Sequence, residues 1–220
     1  PHVGEKPITT NNQALWNNRT DYYEMARHLD LCGTNYYPPY GDHCRDVTFG
    51  LVTCRSYKKA NFIVHELRNG PHAIPGAPGN QPRPGEIERL SVHCVAHGAD
   101  GLFYFRWRAC PFGAEQTHGT LTDYDGHPKR AYHECREVGL KLKRLAPLLG
   151  GTTVESRVAL LYDFPTRWML EAPSPWHGPA GLYRDRCVKL HRAISRLAVN
   201  CDAVGREGDF STYKVLLVPM

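Results

Sequence analysis

Glu66 stands where a carboxylate can do chemistry. Phe62, Ile63 and Val64 form a short apolar β-type run that ends at His65-Glu66, and Gly70, Pro71, Pro75, Gly76, Pro78, Gly79, Pro82, Pro84 and Gly85 then hold the chain in loop. A buried strand that delivers a glutamate into a long loop is how parallel α/β folds present a reactive carboxylate at their carboxyl face. A surface glutamate that merely ends a strand fits the same local pattern. Farther along, Arg106-Trp107-Arg108 leads into a loop with Glu115 and His118. Glu66 and Glu115 end adjacent predicted strands, and two such carboxyl groups can act as a catalytic pair. Arg106 or Arg108 would keep Glu66 ionised through a charge-assisted hydrogen bond, or else form an ion pair beneath the site. Trp107 reads either as a stacking wall or as core packing.

The elements that must position these residues alternate. A β-rich run ends at Asn11-Asn12, a helix follows over 21–29, and a second strand closes on Tyr36-Tyr37 before Pro38. A helix over 47–59, the strand to Glu66, a helix from Pro84 to His97 stopped by Gly98, and a strand over 99–108 come next. The helix over 128–149 carries Ala131, Cys135, Val138, Leu142, Leu145 and Leu148. Four strand–helix units in succession imply a parallel sheet with helices outside it, with chemistry collected at the strands' carboxyl ends. After Gly150-Gly151 the pattern restarts with a strand over 157–163, a Pro-rich loop over 165–179, a helix over 183–199, a strand over 201–204 and a buried strand over 213–220. The expected organisation is therefore 1–150 and 151–220, the second part opening a separate α/β sheet.

Composition narrows the function classes. The 220 residues are 41% hydrophobic and 22% charged, and no run of 18 apolar residues exists, so no membrane span is expected. Lys and Arg exceed Asp and Glu by five, but they are scattered, which suits solvated helix faces rather than nucleic-acid binding. Eight cysteines include no Cys-x-x-Cys pair, so reduced core thiols are expected and no metal site is assigned. His93 and His97 lie four apart without a convincing ligand partner. No Gly-x-Gly-x-x-Gly follows a strand, which disfavours a dinucleotide site, and no cofactor is expected. Neither a start methionine nor a signal peptide opens the chain, and the last strand lacks a cap. The expectation is an internal fragment of a longer, cytoplasmic protein.

Several motifs together resemble glycoside hydrolase family 42, the β-galactosidases. They are Ile8-Thr9-Thr10-Asn11, Tyr37-Pro38, Phe62-Ile63-Val64-His65-Glu66, the run from Ala96 to Arg108, Gly113-Ala114-Glu115-Gln116-Thr117-His118-Gly119, Asp123-Tyr124-Asp125-Gly126 and Arg157-Val158-Ala159-Leu160. The resemblance covers essentially the whole chain. It implies the C-terminal half of a (β/α)8 TIM barrel followed by the start of a flavodoxin-like α/β domain that mediates trimer contacts. It also implies that Glu66 is the nucleophile at the end of barrel strand seven, that Glu115 and His118 hold sugar hydroxyls, and that Tyr37 lies near the nucleophile. The substrate would be a terminal β-galactoside or oligosaccharide, with the full-length protein a homotrimer. Two departures stand out. The region after the nucleophile reads His72-Ala73-Ile74-Pro75 where a stacking Trp is common, which leaves α-L-arabinopyranosides open. No Asn-Glu dipeptide is present to supply the family's general acid/base. A non-catalytic carbohydrate-binding remnant is the other function class.

Overall fold

The computed structural model describes residues 4, 6–13, 15, 17–38, 44–71, 79–172 and 181–219, without the side chains of 44–46. The region around His72 to Pro75 lies outside the described residues. Strands β1 (Thr9–Asn12), β2 (Leu31–Tyr36), β3 (Phe62–Arg68) and β4 (Ala99–Phe105) alternate with helices α1 (Tyr22–Ala26), α2 (Cys44–Lys58), α3 (Glu86–Ala96) and α4 (Arg130–Leu149). The four strands pair in chain order, all parallel. Then come β5 (Val158–Leu161), α5 (Phe164–Glu171), α6 (Leu182–Ser195), β6 (Cys201–Val204) and β7 (Val215–Leu217), forming a second parallel sheet in the order β6-β5-β7. The expected fold class holds: strand–helix units of a (β/α)8 barrel followed by the first strands of an open α/β sheet.

Strand alternation sorts side chains to two faces. Cys32 and Tyr36 of β2, and Phe62 and Val64 of β3, are buried in the core on the helix side. Gly33 of β2 and His65 of β3 take the opposite, concave face, where the His65 imidazole meets Thr9 Oγ1 at 3.0 Å. At β3 the alternation breaks. Thr34 pairs with Val64 but Asn35 with Glu66, and on the other side Val64 pairs with Leu102 but Leu67 with Tyr104. One extra residue is thus accommodated at His65-Glu66, a β-bulge, and Leu67 returns to the buried helix side.

Four expectations need correction. The strand over 99–108 stops at Phe105, because Arg106 N donates to Gly119 O and Thr122 N donates to Trp107 O, so 106–108 pairs with the returning 119–122 segment instead of the sheet. The Pro-rich loop contains α5: Asp163 caps it, accepting from Thr166 N at 3.0 Å, and Pro165 suits a first helical turn whose N–H has no partner to lose. Strand β7 is not buried, with Val215 and Leu216 nearly half exposed. Helix α4 buries Ala131, Cys135 and Val138, while Leu140, Leu145 and Leu148 face outward.

Helix α2 lies between the two sheets, packing on β2 on one side and on β6 and α6 on the other. Phe49, Leu51, Val52, Thr53, Cys54 and Tyr57 are all buried, because both sheets cover this stretch of the helix. The buried Arg55 of this helix reaches Asp202 of β6 at 2.7 Å and also donates to His97 O and Cys201 O. Asp202 is completed by Ser156 and Tyr213 hydroxyls at 2.9 and 2.8 Å. A buried pair stripped of one partner costs about 3–5 kcal/mol, so this network ties the sheets together only because every member is satisfied.

Beside it His93, His97 and His191 gather. The His93 and His97 rings lie 4.4 Å apart, and His191 packs against Phe49 at 5.4 Å. Burial pushes His93 and His191 down to about 4, helped by the positive charges of Arg89 and Arg55 and by the other imidazoles, and it lowers His97 as well. The folded form therefore binds fewer protons than the unfolded chain between about pH 6.5 and 4. Stability is fully present above pH 6.5 and falls on acidification, by about 1.4 kcal/mol per pH unit for each of His93 and His191. Thermal midpoints measured from pH 7.5 to 5 are expected to drop, and to drop less steeply in His191→Phe. An equal slope in the two proteins would show that His191 does not carry the effect.

Candidate active site

At the carboxyl end of the four-stranded sheet, a cavity of about 460 Å³ is lined by Gln13, Asn35, Tyr37, Glu66, Phe105, Glu115 and His118. Every strand contributes. Gln13 follows β1, Asn35 lies near the end of β2 with Tyr37 just beyond it, Glu66 sits at the bulge of β3, and Phe105 ends β4 ahead of the Glu115–His118 loop.

Glu66 is held from two sides. Tyr37 Oη donates to Glu66 Oε2 at 2.7 Å, and Asn11 Nδ2 donates to Oε1 at 3.2 Å. A short bond from a neutral hydroxyl to a carboxylate is among the stronger protein hydrogen bonds. Burial, and then the bond to Glu66, push the Tyr37 phenol well above its ordinary range, so it stays a donor at any working pH. Of the pairs Asn11-Asn12 and Tyr36-Tyr37, alternation brings Asn11 and Tyr37 to Glu66. Asn12 and Tyr36 alternate to the other face, where both are buried.

The opposite wall comes from the strap after β4. Phe105 packs in T-shaped contacts with Tyr37 and with His118, the ring centroids 6.4 and 6.1 Å apart. Arg106 Nη1 pairs with Glu115 Oε2 at 3.3 Å, and its Nη2 donates to Glu115 O at 3.2 Å. The arginine expected to face Glu66 thus orients Glu115 instead. Arg108 donates to Tyr124 O and does not line the cavity. Trp107 is 63% exposed, so the core-packing expectation fails. It meets Tyr132 of α4 edge-on at 5.9 Å and lies outside the cavity lining.

The site therefore brings together Glu66, Tyr37, Glu115 and His118, but not Trp107. Sequence reasoning missed Gln13, Asn35 and Phe105 as lining residues. Their signal was position just at or after a strand's carboxyl end. Two carboxylates, amide and hydroxyl donors and one aromatic face suit a polyhydroxylated ligand, since carboxylates accept from hydroxyl groups in fixed directions. No group of three or more His, Cys, Asp or Glu side chains able to hold a metal occurs among the described residues. The described cysteines are free, and all but Cys110 are buried. No helix among the described residues is long and apolar enough to cross a membrane.

Comparison with known proteins adds a second line of support. A family model for glycoside hydrolase family 42, described as β-galactosidase, matches residues 1–145, and one described as the β-galactosidase trimerisation domain matches 156–220. β-Galactosidase GanA of Bacillus subtilis is 31% identical over 228 residues, covering 97% of this chain and 34% of its own. The crystal structure of a β-galactosidase from Bacillus circulans sp. alkalophilus aligns with a TM-score of 0.88 at 28% identity, covering 97% of this chain and 32% of that one. A catalytic mutant of Gan42B, a β-galactosidase from G. stearothermophilus, aligns at 0.88 and 29%, covering 96% of this chain and 33% of its own. This chain spans about a third of the length of the curated relatives it matches.

The concave face beneath the cavity is tightly filled. A Cβ on Gly33 would fall 2.1 Å from His65 Cδ2 and 3.0 Å from Thr10 O. Gly33→Ala is expected to displace the imidazole from Thr9 and to destabilise the fold by about 1–3 kcal/mol, as overpacking does. Denaturant unfolding measures this, and an unchanged midpoint would mean that the ring relaxes without cost.

Proposed function

Because the chain belongs to glycoside hydrolase family 42, we propose that it carries the nucleophile half of a retaining β-galactosidase site. The observation behind this reading is Glu66, fixed by Tyr37 and Asn11 at the mouth of parallel strands and facing Glu115 and His118 across one cavity. Ionised Glu66 attacks the anomeric carbon, forming a glycosyl-enzyme as the aglycone leaves. The leaving oxygen takes its proton from a second carboxyl, which the family resemblance assigns to sequence upstream of this chain. That group then acts as base on the water that releases the sugar.

Each neighbour has a role. The Tyr37 hydroxyl and the Asn11 amide hold the Glu66 carboxylate in one orientation and stabilise the charge that returns to it when the intermediate breaks down. Glu115 and His118 bind galactose hydroxyls, and interactions that tighten as the ring distorts lower the barrier. Arg106 orients Glu115. Residues 151–220 form the start of a trimerisation domain, separate from the barrel part in 1–150, and the full-length protein is a homotrimer. The support is the matching trimerisation-domain model. A cytoplasmic setting agrees with the free, buried thiols among the described residues.

In the full-length enzyme, Glu66→Gln is expected to lower hydrolysis of a nitrophenyl β-galactoside on the order of 10³-fold or more, about 4 kcal/mol of barrier. Azide should restore turnover to Glu66→Gly with the α-galactosyl azide as product. Rescue at Glu115 in place of Glu66 would reassign the nucleophile, and near wild-type turnover by Glu66→Gln would defeat the proposal. Tyr37→Phe removes one hydrogen bond to a charged group, about 1.5–3 kcal/mol, so kcat/KM is expected to fall about 10–100-fold.

A further inference from the structure

The two halves of the cavity belong to different segments, Glu66 to β3 and the Glu115–His118 pair to the loop after β4. What sets their separation is visible in the backbone. Gly70 lies two residues beyond the end of β3, and Gly119 directly follows His118. The two glycines touch. A Cβ built on Gly119 falls 2.2 Å from Gly70 Cα, 2.5 Å from its N and 2.6 Å from its C, and a Cβ on Gly70 falls 2.4 Å from Gly119 Cα. All the colliding atoms are backbone, so no flexible side chain can yield. Both residues are buried, and neither has a positive φ, so close approach rather than turn geometry calls for glycine here.

Hydrogen bonds lock the contact on both sides. Gly119 N donates to Pro71 O at 2.6 Å, and Arg106 N donates to Gly119 O at 3.2 Å. Arg68 Nε donates to Gly70 O at 2.9 Å, and Asn69 Nδ2 reaches Arg106 O at 3.4 Å. The exit of β3 and the two ends of the strap thus form one rigid unit, with Arg106 also gripping Glu115.

We propose that Gly70 and Gly119 are positioning residues whose backbone apposition sets the distance between Glu66 and the Glu115–His118 pair. The proposal rests on the reading of these three residues given above. Restoring an ordinary contact of 3.4 Å or more from 2.2 Å moves the strap by roughly 1 Å, and a misplacement of that size costs on the order of 10²-fold in rate.

The test compares Gly70→Ala and Gly119→Ala in the full-length enzyme with Gly139→Ala, where an added Cβ meets nothing within 4 Å. Assays run well below each thermal midpoint, with a nitrophenyl β-galactoside as substrate and galactose as competitive inhibitor. The expected result is a 10–100-fold loss of kcat/KM in both site variants, with the galactose Ki raised at least tenfold. Glu66→Gln should remain the more severe lesion, because the Tyr37–Asn11 grip on Glu66 is untouched in the glycine variants, and Gly139→Ala should behave as wild type. Wild-type kcat/KM and Ki in folded Gly119→Ala would overturn the proposal. Failure of both alanine variants to fold would overturn it too, since the apposition would then serve the fold rather than the spacing of the site. A parallel Glu66→Gln variant separates the two readings. If it is inactive while the glycine variants are normal, only this inference falls, whereas if it is active, the assignment of the site itself falls.

Discussion

One extra residue in β3 decides which way Glu66 points. With uninterrupted alternation, Glu66 would follow Phe62 and Val64 to the helix side, among fully buried apolar side chains. An ionised carboxylate there would lose its hydration with nothing to replace it. The bulge turns Glu66 to the concave side, where Tyr37 and Asn11 replace that water, and it returns Leu67 to the core. The cost is a local loss of ladder pairing, and bulges are often found beside active sites for this reason.

The opposing wall depends on a different constraint. After Phe105 the chain leaves the sheet and pairs with its own return segment, and the strap so formed can approach β3 only where both backbones lack a Cβ. The strap then spends its charged residue internally: Arg106 holds Glu115, while Glu66 is held by neutral donors. Neutral donors thus fix the orientation of the Glu66 carboxylate, whereas a cationic partner fixes that of Glu115.

Below the site, the structure rests on α2. Over its buried turns this helix satisfies several polar side chains internally: Thr53 and Ser56 bond back to carbonyls one turn earlier, and Arg55 meets Asp202. The same dryness that makes this contact rigid lowers the three nearby imidazoles. A charge brought into this layer by acid has no carboxylate free to meet it among the described residues, because Asp202 is already engaged.

Much of this was readable from residue types in order. The alternation of strands and helices, Glu66 closing a strand, and Glu115 with His118 in a loop after the next strand all follow from local periodicity and from where glycine and proline interrupt it. Those are short-range properties, set by backbone sterics and by the hydrophobic period. What only the tertiary structure decided concerns direction and distance. Asn11 enters the site and Asn12 does not, Arg106 serves Glu115 rather than Glu66, and Trp107 lies outside the cavity. Helix α5 forms where Pro165 suggested loop, because the Asp163 cap and the buried Arg167 network outweigh local propensity. Each of these outcomes depends on groups far apart in the chain meeting within a few ångströms, and the bulge that aims Glu66 arises from pairing with two neighbouring strands, which no local pattern in β3 encodes.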